Sequence, residues 1–86
     1  GVVACRGGEL WHATVELKTI VNPVGSGDAL IAGVIVALER GDAVADALRL
    51  GVAAGAANAL TETAGDVRPG DVARLLPEVE VRQVTP

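Results

Sequence analysis

The chain has 86 residues, 50% of them hydrophobic, a net charge of −4 and no basic cluster. That length bounds it to one small domain or a piece of a larger one. The charge gives nucleic-acid binding no support, and the longest apolar stretch, residues 29–38, is too short to span a bilayer. Cys5 is the single cysteine, so no disulfide framework or cysteine-rich metal site can form within the chain; it reads as a small buried hydrophobe. Trp11 is the one aromatic residue, and Ala, Val, Leu and Gly supply most of the apolar content. Such small side chains fill a core only where many backbone elements crowd together, the composition of a part of a larger α/β body. The mildly acidic balance fits a cytoplasmic protein.

Gly1 leads directly into the apolar run Val2 to Cys5, without an initiator Met or a signal-peptide pattern. That run predicts a strand with neighbours on both faces. Gly7-Gly8 is a hairpin signal, and Glu9 to Ala13 predicts the returning strand, with Leu10 and His12 on one face and Trp11 on the other. Alternation continues to Lys18, with Val15 and Leu17 facing one way and Glu16 and Lys18 the other. Thr19 to Val24 is a loop, and Pro23 keeps Asn22 out of a helix.

A first helix is predicted from Ser26 or Gly27 to about Arg40. It is apolar almost all round, which predicts burial on every side, with Gly41 in the left-handed position beyond its end. Asp42 is expected to cap a second helix running to about Leu60. Its early turns are amphipathic, through Val44, Leu48 and Val52. Its later turns, Ala53-Ala54-Gly55-Ala56-Ala57, are small enough to admit another backbone or a flat ligand. Thr61 to Arg68 forms a loop, and Pro69 suits a first helical turn. Asp71 to Leu76 is a short third helix ended by Pro77, and Val79, Val81 and Val84 predict a terminal strand.

The segment with chemistry to offer is Asn22-Pro23-Val24-Gly25-Ser26-Gly27-Asp28. Two glycines around a serine permit positive φ and leave no side chain to block a ligand. The free N–H groups of the first helical turn then form an anion site, of the kind that stabilises charge growing on phosphoryl oxygens. Asp28 is favoured there by the helix dipole and is placed to take a proton from an attacking hydroxyl. From spacing alone a plain helix start, with Ser26 as N-cap and Asp28 as dipole partner, is the favoured reading. A dinucleotide fingerprint lacks its third glycine, and no Gly-Lys-Ser/Thr follows to make a P-loop.

Val21 to Asp28, followed by Ala32-Gly33, resembles the second signature of the PfkB-type carbohydrate kinases, which reads roughly (Asn/Asp)-x-x-Gly-(Ala/Ser)-Gly-Asp before a small-residue pair. The resemblance implies the α/β ribokinase-like fold, with residues 1–86 its incomplete C-terminal portion. It implies that Asp28 is the catalytic base, that Gly25, Ser26 and Gly27 form the anion hole, and that Val24, Gly25, Ser26 and Gly27 bind ATP. Residues 47–59 resemble the next helix of those kinases, which lies against the nucleotide; Asn58 is then either an ATP contact or a helix-interior residue bonded to a neighbouring loop.

The loop from Thr61 to Asp66 and the tail from Leu75 to Val79 look most like the branch that phosphorylates sugar phosphates, the 1-phosphofructokinases and tagatose-6-phosphate kinases. The implied partners are ATP with Mg²⁺, a sugar phosphate, the remainder of the kinase chain and, for the parent, a second copy; no metal ligand is assigned in this chain. The sugar-binding residues, the β-sheet lid and the magnesium motif of that family have no match here, so the segment by itself is expected to be inactive. The competing readings are a non-catalytic nucleotide-binding or regulatory module and an inactive structural fragment. His12, Glu9, Glu16, Glu39 and Asp46 read as surface residues.

Overall fold

The computed structural model describes residues 2–6, 8–17, 20–62 and 65–84, without the Arg6 side chain. Gly7 of the expected turn, Lys18, Thr19 and Thr63-Ala64 lie outside the described residues. The elements follow in the order β1 (Val2–Arg6), β2 (Glu9–Thr14), α1 (Ser26–Glu39), α2 (Val44–Ala59), α3 (Pro69–Leu75), a 3₁₀ turn (Leu76–Glu78) and β3 (Glu80–Gln83). The strands form an antiparallel sheet in the order β1-β2-β3, with Val2 opposite Ala13, and Thr14 opposite Glu80. Period-2 alternation then sets the faces. Val2, Ala4, Trp11, Ala13 and Val81 turn inward, while Val3 and Leu10 are exposed.

The core lies between this sheet and α2. Leu48, Val52, Ala53, Ala56 and Ala57 of α2 pack with Ala13, Leu75 and Val79. Val15 and Leu17 join them from the chain beyond β2, and Glu16 is exposed, as the alternation requires. The face of α2 that carries glycines packs instead on α1. A Cβ built on Gly51 would lie 2.6 Å from Val34 Cγ2 and 2.8 Å from Leu30 O; one on Gly33 would lie 3.0 Å from Gly51 Cα; one on Gly55 would lie 2.9 Å from Ser26 O. The contacts run in opposite directions along the two helices. α1 and α2 are therefore an antiparallel pair in near-backbone contact, and the small residues of α2 admit a helix.

Three sequence expectations need correction. α1 is not buried all round: only Ala29 and Ala37 are buried, while Ile31, Ile35 and Val36 are 57%, 51% and 51% exposed. Among the described elements its main packing partner is α2. Cys5 is exposed, on the outward face of β1. Asp42 does not cap α2, whose N-cap position is Ala43, with no side-chain hydrogen bond. It belongs to the end of α1: Gly41 takes φ +86°, its N–H donates to Leu38 O, and the Asp42 N–H donates to Ala37 O. That is a Schellman ending, and it leaves the Asp42 carboxylate to pair with Arg40.

No described helix is long and apolar enough to cross a membrane.

Candidate functional site

The motif lies at the N-terminus of α1, and α2 decides where that terminus sits. The chain enters from Val21 and Asn22, whose N–H groups both donate to Ala59 O at 2.8 and 3.0 Å. They satisfy a carbonyl that the end of α2 leaves without a helical partner. Asn22 Nδ2 donates to Glu62 O at 3.0 Å, and Asn22 Oδ1 accepts from the Val24 N–H at 3.0 Å. The second bond is an Asx turn, which Asn before Pro favours. Pro23 O accepts from the Ser26 N–H at 3.2 Å, and Gly25 O accepts the first helical bond from the Ala29 N–H at 3.0 Å.

Gly25 is the N-cap residue, with φ +88° and ψ −5°. A side chain there would meet the steric penalty of the left-handed region, so the glycine is required by the turn. Ser26 is not the N-cap, and α1 has no side-chain cap. The N–H groups of Gly25, Gly27 and Asp28 make no hydrogen bond among the described residues. These are the orphan donors that the missing cap leaves, on the positive end of the helix dipole. Gly27 and Asp28 are exposed beside them, and a Cβ on Gly27 would meet nothing within 4 Å. Gly27 has neither positive φ nor a close neighbour here. Its presence costs the helix roughly 0.5–1 kcal/mol relative to alanine, with no return inside these residues.

Asn58 lies behind the loop. It is 0% exposed, and its Nδ2 donates to Val24 O at 2.9 Å and to Ser26 Oγ at 3.1 Å. In this structure it is a helix-interior residue bonded to a neighbouring loop. The bond follows from the helix pairing, because Gly51, Gly55 and Asn58 lie at i, i+4 and i+7 on one face of α2. The glycines bring the backbone of α1 close, and Asn58 then meets its first turn. Thr61 Oγ1 donates to Asn58 O at 2.9 Å and caps the same helix end.

Among the predicted residues, Val24, Gly25, Ser26, Gly27 and Asp28 thus come together as one turn, with Asn58 beneath it. The sequence places Asn22 in the motif; its clamp on Glu62 comes only from the fold, and the Asn-Pro pair is its one local signal. Ser26 carries less of the donor set than expected, because its N–H serves Pro23. Among the described residues no group of three or more His, Cys, Asp or Glu could hold a metal ion. A surface hollow between Thr14, Leu17, Leu60 and Pro77 includes none of the motif residues.

The chain that carries this turn has relatives among known proteins. The family model for pfkB family carbohydrate kinases matches residues 1–69, and the chain belongs to that family. It is 36% identical over 75 residues to the 1-phosphofructokinase of Bacillus subtilis, covering 87% of this chain and 24% of that protein. It is 45% identical over 56 residues to an ATP-dependent 6-phosphofructokinase isozyme 2 of Mycobacterium tuberculosis, covering 65% of this chain and 16% of that protein. A solved structure from Staphylococcus aureus, described as a candidate phosphofructokinase, superposes with a TM-score of 0.82 at 25% identity, over 90% of this chain and 24% of that one. The chain therefore spans about a quarter or less of the length of these relatives.

Proposed function

We propose that this segment is the C-terminal portion of a ribokinase-like domain and supplies the catalytic base, the anion hole and part of the ATP site of a sugar-phosphate kinase. The observation that carries the reading is the set of unpaired Gly25, Gly27 and Asp28 amides with the Asp28 carboxylate exposed at the same helix end. The names of the relatives favour a phosphofructokinase type of acceptor.

In this reading Asp28 takes the proton of the acceptor hydroxyl as that oxygen bonds to phosphorus. The bond from phosphorus to the bridging oxygen breaks, and its electron pair leaves with the diphosphate. The Gly25, Gly27 and Asp28 amides hold the transferred phosphoryl oxygens, and such positioning and electrostatics carry most of a phosphoryl transfer. Gly27 then has its reason, since a bare Cα leaves room for the phosphoryl group. Val24, 62% exposed, borders the same space.

The apolar face of α1 supports the view that the segment works within a larger body. Ile31, Ile35 and Val36 are exposed on a helix that carries the site, and the rest of a kinase domain is the occupant proposed for that face. The test uses the intact polypeptide that carries these residues, offered ATP with fructose 1-phosphate, tagatose 6-phosphate and fructose 6-phosphate in turn. One of them should drive ATP consumption, and Asp28→Asn should reduce kcat by about 10²–10⁴-fold. ATP binding without turnover on any sugar phosphate would favour a regulatory nucleotide-binding module instead.

A further inference from the structure

The orientation of the Gly25 amide needs a cause that the loop itself does not provide. A glycine adopts positive and negative φ about equally well. The Val24–Gly25 peptide plane could therefore turn over at little cost and point its N–H into the protein. What holds it is on α2. In a trans peptide the C=O and the following N–H point in opposite directions. Asn58 Nδ2 binds Val24 O at 2.9 Å, so the carbonyl faces α2 and the Gly25 N–H is directed away from it. The same Nδ2 binds Ser26 Oγ at 3.1 Å. One side chain thus grips the turn on both sides of the residue that must not flip.

Two further facts bear on Asn58. Its amide cannot be reversed profitably, because Val24 O is an acceptor only and would then face Oδ1. Yet Oδ1 is buried without a partner among the described residues. An unsatisfied buried acceptor costs about 1–3 kcal/mol. A leucine of similar shape would avoid that cost on a helix whose neighbouring positions are all small and apolar. An asparagine maintained at that cost is better explained by what its Nδ2 does than by packing.

We propose that Asn58 is a positioning residue of the cradle: by holding the Val24 carbonyl and the Ser26 hydroxyl it aims the Gly25 N–H at the transferred phosphoryl group, and it does not touch the nucleotide. The proposal rests on the kinase reading above and adds a residue that acts through another. Because its effect is on the phosphoryl end, its loss should separate phosphate recognition from recognition of the nucleoside.

The experiment compares wild type with Asn58→Leu in the intact polypeptide. It measures kcat, the Kd for ATP, the Kd for adenosine, and the backbone amide resonance of Gly25 without ligand. Asn58→Ala, the same deletion in a better helix former, carries the same expectations should leucine not fit. The expected result is a fall in kcat of about a hundredfold, the scale for a catalytic group displaced by an ångström. ATP binding should weaken, adenosine binding should be unchanged, and the Gly25 resonance should move. Parallel loss of ATP and adenosine binding overturns the proposal in favour of direct contact with the nucleoside. An unchanged kcat, or an unmoved Gly25 resonance, in a folded variant overturns it outright. Should wild type neither bind nor consume ATP, the kinase reading fails, and the Gly25 resonance alone then decides whether Asn58 holds the turn.

Discussion

Gly55→Ala tests the link between helix packing and the site. A Cβ at Gly55 would lie 2.9 Å from Ser26 O and 3.3 Å from Leu30 Cβ. Non-bonded carbon contacts are comfortable at about 3.5–4.0 Å, and Ser26 O is backbone, so no side-chain rotation relieves the clash. The head of α1 has to retreat by roughly half an ångström or more. Overpacking of this kind costs about 1–3 kcal/mol, while exchanging glycine for alanine inside a helix returns about 1 kcal/mol. The net expectation is a loss of about 0–2 kcal/mol. The effect on rate should be larger in proportion, because the displaced atoms belong to the cradle; at about a hundredfold per ångström, half an ångström is worth about tenfold in kcat. Urea unfolding and steady-state ATP consumption of the intact polypeptide measure the two quantities. Gly70→Ala is the control: its Cβ meets nothing within 4 Å and its φ is not left-handed, so it should stabilise by up to about 1 kcal/mol without touching the rate. A Gly55→Ala protein that is more stable than wild type and has a normal kcat would refute the reasoning.

Two further substitutions address the turn and the helix end. Gly25→Ala places a side chain at φ +88°; it should lower stability by roughly 1–2 kcal/mol in urea unfolding and reduce kcat more steeply than that loss alone accounts for, because the turn can escape strain by flipping the amide. Asp42→Ala removes an exposed ion pair with Arg40 rather than a helix cap; it should cost less than about 1 kcal/mol, and a larger loss in the same melt would mean that the carboxylate does cap α2.

The sequence by itself determined most of the local elements and the place of the motif at a helix head. Pro23, Gly41 and Pro69 mark helix boundaries through backbone rules that hold without a fold, and α1 starts at Ser26 as those rules require. Alternation puts Trp11 on the face opposite Leu10 and His12. The pattern from Asn22 to Asp28 showed a glycine turn with a carboxylate at a helix head, whichever neighbours it has. What periodicity could not decide was how much of each face the chain covers. α1 reads as buried because it is apolar, but burial depends on a second surface, and among the described elements α2 is the main one. Cys5 failed for the same reason, since a small apolar residue does not reveal which side of its strand is packed. The role of Asn58 was open because a buried asparagine is equally suited to a ligand or to a carbonyl. Only the antiparallel register of α1 and α2, set by backbone contact at Gly51 and Gly55, brought its amide to Val24 and Ser26, across 34 and 32 residues of chain.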